Sequence, residues 1–197
     1  MYKEISTLSE LSQLSQSSHS APTGTETIVF TEADIQRTLK RLTHEMLEAN
    51  KGASNLVLIG IVTRGQYLAN RVGKLVQEFE GSPVPVGNLD ITLYRDDSPN
   101  TFKETTESMI PVDITGKDVV LVDDVLFTGR TVRSALDALN AYGRPASVQL
   151  LVLLDRGHRE LPISADFAGK NIPTQKSERV NVQLNEVDGC EQVTIQK

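Results

Sequence analysis

The chain has 197 residues, 39% apolar and 23% charged, a size that suits one α/β domain able to bury most of its surface without cross-links. Twenty Lys and Arg against 26 Asp and Glu leave a formal charge of −6, which argues against indiscriminate nucleic-acid binding and allows only a local basic face. Cys190 is the single cysteine, no run approaches the roughly 18 apolar residues of a membrane span, and Met1, Tyr2, Lys3 and Glu4 do not open a signal peptide, so a cytoplasmic protein without an internal disulfide is expected.

Residues 1–26 stand apart. Ser6, Ser9, Ser12, Ser15, Ser17, Ser18 and Ser20, followed by Ala21, Pro22, Thr23 and Gly24, give a segment with too little apolar surface to order itself, so a disordered leader is expected before a folded domain over 27–197. Leu8, Leu11 and Leu14 support at most a transient helical turn. The folded body is expected to open on a helix. Thr31 is a suitable N-cap, Asp34 suits the first turn, Ile35, Leu39, Leu42 and Met46 recur at helical spacing, and Asn50, Lys51 and Gly52 end the pattern. Arg37, Lys40, Arg41 and His44 share the opposite face, either a solvated helix surface or part of a nucleic-acid interface.

Residues 56–62 read as a buried strand that ends at Thr63, Arg64 and Gly65. Guanidinium offers a fork of donors and glycine lets backbone amides approach, a combination suited to pyrophosphate. A helix over 65–80 follows, with Leu68, Val72, Leu75, Val76 and Phe79 inward, then an extended stretch over 84–93. From Tyr94 and Arg95 to about Met109 the chain is polar and has no apolar stripe, the profile of a lid or binding loop.

The most informative segment is VVLVDDVLFTGRTV, residues 119–132. Four apolar residues describe a strand covered on both faces, and Asp123 and Asp124 stand at its exit, where open α/β sheets bind ligands. Two adjacent acids stabilise no core, but they can accept hydrogen bonds from vicinal hydroxyls. Thr128, Gly129, Arg130 and Thr131 then make a small-residue turn into a helix whose free N–H groups suit an anion. A ribose and its 5′-phosphate would be held at opposite ends of this device. No GxGxxG follows an apolar run and no GxxxxGK[ST] occurs, which disfavours dinucleotide and P-loop folds.

Residues 148–154 form a further apolar strand, and Arg156, His158 and Arg159 crowd its exit, a cluster too costly to bury unpaired and therefore expected to border a ligand or RNA. His19, His44 and His158 are scattered and show no zinc-type spacing, so no metal site made by protein alone is expected.

The strand, paired acids and Thr-Gly turn resemble the phosphoribosyl pyrophosphate (PRPP) signature of type I phosphoribosyltransferases, and Thr63, Arg64 and Gly65 resemble the pyrophosphate loop of that superfamily. From about Thr31 to Ile195, the segments GIVTRG, DITLYRDD, PVDIT, DRGHRELPI and SERVNVQLNEVDG are similar to the PyrR family, which combines uracil phosphoribosyltransferase activity with regulation of pyrimidine operons. The resemblance implies an α/β type I phosphoribosyltransferase fold, a mostly parallel central sheet flanked by helices, with a flexible hood or lid loop. It implies uracil and PRPP as substrates, UMP and pyrophosphate as products, and Mg²⁺ bound with PRPP.

By the same resemblance Asp123 and Asp124 meet the ribose hydroxyls directly or through Mg²⁺ and water, and Arg95, the third catalytic group, joins Thr63 and Arg64 from the lid at the pyrophosphate. Thr63 and Arg64 bind pyrophosphate. Val125, Leu126, Phe127, Thr128, Gly129, Arg130 and Thr131 cradle the 5′-phosphate, and Arg156 with the backbone at Val180 contacts nucleotide and uracil. Relatives bind an RNA hairpin of the operon leader with UMP or UTP favouring the complex, and they form dimers or tetramers. Arg37, Lys40, Arg41, His44, Arg144, Arg156, His158 and Arg159 are the candidate RNA surface. Lys40 and Ala49 stand where family members often carry Thr and Arg, so an enzyme that has lost attenuation is the second reading.

Overall fold

The computed structural model describes residues 26–95 and 107–197. The expected leader and most of the polar loop after Arg95 lie outside the described residues. A strand, β1 (Glu26–Thr31), precedes the first helix, so the body does not open on a helix as expected. Thr31 is at once the last residue of β1 and the N-cap of α1 (Glu32–Ala49), where a reciprocal pair of bonds with Asp34 satisfies two terminal donors.

The chain continues through β2 (Leu56–Ile61), α2 (Arg64–Glu80), β3 (Val86–Leu89), β4 (Asp118–Leu126), α3 (Arg130–Leu139), β5 (Ser147–Asp155), β6 (Phe167–Asn171), β7 (Arg179–Gln183), α4 (Asn185–Asp188) and β8 (Gln192–Gln196). The strand expected over 84–93 is reduced to β3. Residues Thr92–Tyr94 form a short 3-10 turn, Ile91 is buried, and Leu93 is 83% exposed. Apolar alternation alone did not reveal that the chain leaves the sheet after Leu89.

Five strands form a parallel sheet in the order β3-β2-β4-β5-β6, with every described pairing parallel. Successive strand residues face opposite sides. Leu58, Val120, Val122, Leu151 and Leu153 accordingly join the core beneath α1 and α2, whereas Val57, Ile59, Val119, Leu121, Leu150 and Val152 join the core beneath α3. Both faces of the sheet are therefore covered, which explains the uninterrupted apolar runs.

A second sheet, antiparallel in the order β1-β8-β7, brings the two ends of the described chain together. Phe30, Val182 and Val193 of this small sheet pack into the core on the α1–α2 side. It stands as a hood fixed to one side of the parallel sheet. No helix among the described residues is long and apolar enough to cross a membrane.

Candidate active site

The paired acids lie inside β4 rather than beyond it, since the strand runs on to Leu126. Pairing with β5 keeps this extension in the sheet, with Asp123 opposite Val152 and Val125 opposite Leu154. The two carboxyls share a side-chain hydrogen bond yet meet different cations: Asp123 feels Arg95, Asp124 feels Arg64. Asp123 is 8% exposed. Burial first, then the charge of Asp124, push its carboxyl well above the ordinary range, against the lowering from the Asp124 N–H and Arg95. Burial raises Asp124 as well, opposed by the hydrogen bond from Val125 N–H and by Arg64. Two carboxyls held against their own ionisation fit a site that gains a cation or hydroxyl donors when it fills.

One cleft of about 180 Å³ is lined by Ile61, Val62, Thr63, Arg64, Arg95, Asp123, Asp124, Val125 and Thr131. Gly65 lets α2 start here, because a Cβ at that position would stand 2.3 Å from the Val122 carbonyl oxygen. The Val62–Thr63 peptide is cis. Thr63 caps α2 without a side-chain hydrogen bond, so its hydroxyl does not occupy the first-turn amides of that helix. Arg64 donates from Nη2 to Asp188 Oδ1 at 2.9 Å, and its buried Nε has no hydrogen-bond partner among the described residues.

A second cavity, about 120 Å³, shares Arg95, Val125 and Thr131 with the first and adds Leu126, Phe127, Thr128, Gly129, Arg130 and Val132. Gly129, at φ 92°, makes the left-handed bend that starts α3. The carbonyls of this turn are engaged on the far side. Arg156 N–H donates to Leu126 O at 3.1 Å, and Glu160 N–H and Leu161 N–H reach Thr128 O at 3.0 and 3.3 Å. Arg159 donates to the carbonyls of Phe127 at 2.8 Å and Ile163 at 3.0 Å and pairs with Asp155. With its carbonyls fixed outward, the loop can offer N–H groups to an anion. Ser134 Oγ donates to Tyr94 O at 3.0 Å, which ties the turn at Thr92–Tyr94 to α3.

Arg156 does not border open solvent. It is buried, its guanidinium lies 4.2 Å from the Phe127 ring centroid, and it donates to Thr174 Oγ1, Gln175 O and Glu178 O at 3.1, 3.0 and 2.7 Å. It thereby joins the 125–131 turn to residues 174–178, which lead into β7 and Val180.

Residues 30–186 match the family of phosphoribosyl transferase domains. The bifunctional protein PyrR of Bacillus subtilis (strain 168) is 56% identical over 172 residues, spanning 85% of this chain and 95% of that protein. Its counterpart in Halalkalibacterium halodurans is 54% identical over 176 residues, or 86% and 97%. The chain belongs to the PyrR family. A solved hypoxanthine phosphoribosyltransferase from Staphylococcus aureus, 25% identical with a TM-score of 0.64, covers 87% of this chain and 91% of that one. One from Trypanosoma cruzi, 22% identical with a TM-score of 0.67, covers 86% and 95% and shares the fold.

Within this PyrR-family chain, Asp123, Asp124, Arg95, Thr63, Arg64 and the whole of 125–131 meet at two adjoining cavities. The basic residues are more dispersed. Arg37, Lys40, Arg41 and His44 are all exposed on α1, but Arg37 pairs with Asp34, Arg41 with Glu45 and the Gly169 carbonyl, and His44 stacks on Phe79 at 4.0 Å. His158 contacts Thr174 O beside the site. Arg144 precedes β5 whereas Arg156 follows it, so nine strand residues, roughly 30 Å, part them. Sequence reasoning missed the acidic partners Glu160, Glu186, Asp188 and Glu191, because nothing local pairs them with Arg130, Arg64 or Arg71.

Proposed function

We propose that the chain transfers the ribosyl phosphate of PRPP to uracil, giving UMP and pyrophosphate, and that it also acts as a UMP- or UTP-responsive RNA-binding regulator of pyrimidine biosynthesis genes. The observation that carries the enzyme reading is the convergence of Arg64, Arg95, Asp123, Asp124 and Thr131 on one cleft that opens into the Val125–Val132 turn. A cationic end, an acidic middle and an amide-rich turn match the pyrophosphate, diol and 5′-phosphate of one substrate.

Thr63, Arg64 and the first amides of α2 hold the departing pyrophosphate, and Arg95 closes over it. Asp123 and Asp124 accept from the ribose hydroxyls and carry negative charge next to a ribosyl centre that becomes cationic as the bond to pyrophosphate breaks. Residues 125–131 hold the 5′-phosphate. The uracil nitrogen approaches from the face opposite the leaving group, placed from the side of Arg156 and the Val180 backbone. No protein nucleophile is required; positioning and exclusion of water supply the rate.

The donor set also fits Mg²⁺, a hard ion that takes one or two carboxylates together with substrate phosphate oxygens. Asp123 and Asp124 would hold it directly or through water, and when bound it neutralises charge on pyrophosphate. The regulatory role draws on the exposed basic residues of α1, Arg37, Lys40, Arg41 and His44, with His158 and Arg159 at the exit of β5. The curated relatives above 50% identity are named bifunctional, which does not favour the enzyme-only alternative.

PRPP-dependent formation of UMP from uracil tests the enzyme, and its absence in the presence of Mg²⁺ refutes it. Filter binding of pyrimidine-leader RNA with and without UMP tests the regulator. Tighter binding with UMP and steep weakening by salt are expected; retention that is indifferent to both refutes it. Sedimentation of the same preparation reads the dimer or tetramer expected for this family.

A further inference from the structure

Arg64 and Arg71 lie seven residues apart on α2, two turns or roughly 10 Å along the same side of the helix. Both face the segment that follows β7. Arg71 grips Glu186 with Nε and Nη2 at 2.9 and 2.6 Å and Glu191 with Nη1 and Nη2 at 2.5 and 2.9 Å. Asn185 adds a bond to Glu191 at 3.0 Å. The segment is thus pinned to α2 on both sides of Asp188.

Asp188 itself is fixed twice. Oδ2 accepts from Leu184 N–H at 2.9 Å, and Oδ1 accepts from Arg64 at 2.9 Å. Burial pushes its carboxyl up, but the Leu184 and Arg64 bonds and the Arg64 charge outweigh that and hold it below the ordinary value, so it stays ionised. Both side chains of the pair are largely shielded, at 29% and 20% exposure. A long arginine left to itself samples many rotamers and loses that freedom when an anion captures it. Here one Nη atom is anchored while the buried Nε has no hydrogen-bond partner among the described residues.

Building on the reading of Arg64 as a pyrophosphate ligand, we infer that Asp188 is a positioning residue for that reaction: it pre-sets the Arg64 guanidinium so that the hood governs the grip on the leaving group. Docking of the hood does not require this bond, because Arg71 already supplies that contact with two acids. The arrangement links β7, which carries Val180, to the pyrophosphate loop through one short segment.

The test is steady-state kinetics of Asp188→Ala and Asp188→Asn with PRPP and uracil varied separately, together with melting curves and calorimetry of Mg²⁺ with inorganic pyrophosphate. Loss of one charge-assisted hydrogen bond in Asp188→Ala should raise KM for PRPP and weaken pyrophosphate binding about tenfold, with KM for uracil unchanged. Asp188→Asn keeps a single acceptor oxygen, enough for Arg64 or for the Leu184 N–H but not for both, so its two values should lie between those of the parent and of Asp188→Ala. Unchanged PRPP and pyrophosphate affinity in Asp188→Ala overturns the inference. So does an equal rise in both KM values, or failure of that variant to fold. If the parent chain forms no UMP, the enzyme reading falls, while pyrophosphate calorimetry still decides the role of Asp188.

Discussion

Replacing Arg71 with Met should unfasten the hood, and the size of the effect follows from burial. Arg71 neutralises two acids whose surroundings differ: the Glu191 side chain is 3% exposed, whereas that of Glu186 is 35% exposed. Hydrogen bonds to both acids, not their charge alone, hold the guanidinium, and they raise its pKa above the ordinary value against the opposing effect of burial. Removing one member of a buried pair leaves an uncompensated charge and costs roughly 3–5 kcal/mol. Glu186, in contact with water, adds no more than about 1 kcal/mol. For a chain of this length each kcal/mol moves the melting temperature by roughly 2–4 °C, so Arg71→Met should melt on the order of 10 °C lower. Met preserves the apolar stem, which separates lost charge from lost packing. Adding Glu191→Met to Arg71→Met removes the stranded acid and should recover most of the loss. A single variant that melts within about 2 °C of the parent, or a double variant no better than the single one, would refute the claim that a buried charge pair fastens the hood.

Asp123→Asn should change the pH profile of stability in a defined direction. Burial and the Asp124 charge raise the folded pKa of Asp123 above its unfolded value, so the native chain retains a proton that the unfolded chain releases, and stability is lost as pH rises from about 4 through the folded value. Asparagine does not titrate, so the ligand-free variant should melt above the parent at pH 7, with the gap closing below about pH 4; equal melting at both pH values counts against the buried acid. Gly129→Ala places a Cβ on a residue at φ 92° and should cost about 1–2 kcal/mol while weakening UMP binding. Denaturant titration and calorimetry check this, and two unchanged values would remove the bend from the phosphate site. Arg156→Ala severs the bonds to residues 174–178 and uncovers Phe127, so UMP affinity should fall at least about tenfold; wild-type affinity would show that Arg156 serves the loop alone.

What could be read in advance was what local pattern encodes. The runs at 56–62, 119–122 and 148–154 are continuous because the sheet is covered on both faces, and each became a central parallel strand. Thr31 and Asp34 announced the start of α1 through a capping geometry confined to four residues. That the candidate residues at strand exits would gather in one place was legible for the same reason, since a parallel sheet collects those exits at one edge. The antiparallel hood was not legible: β1 pairs with β8 from the other end of the chain, a contact that leaves no periodicity to detect. The acidic partners of Arg64 and Arg71 were hidden likewise, 124 and 115 residues away. Arg159 was expected to border a ligand or RNA because its charge needs pairing; the pairing exists, but with Asp155 and with backbone carbonyls that no side-chain pattern records.

The division between sheet and hood also bears on substrate choice. Proteins named hypoxanthine phosphoribosyltransferases share the fold over most of this chain at 22–25% identity, so the fold by itself does not name the base. The residues proposed to meet sugar, phosphate and pyrophosphate lie on β2, α2, β4 and the turn into α3, whereas Val180 lies on β7 in the hood, which reaches the 125–131 turn through residues 174–178 and Arg156. A base bound from the hood can be exchanged in evolution without disturbing the buried acids, provided the hood still meets α2 in register. The ion pairs of Arg71 supply that registration, and the Arg64–Asp188 pair extends it toward the cleft. On the proposed assignment, base recognition and pyrophosphate recognition are separable in sequence but joined mechanically, and substitutions at Glu186, Asp188 or Glu191 should affect the pyrophosphate end although none of the three belongs to the parallel sheet.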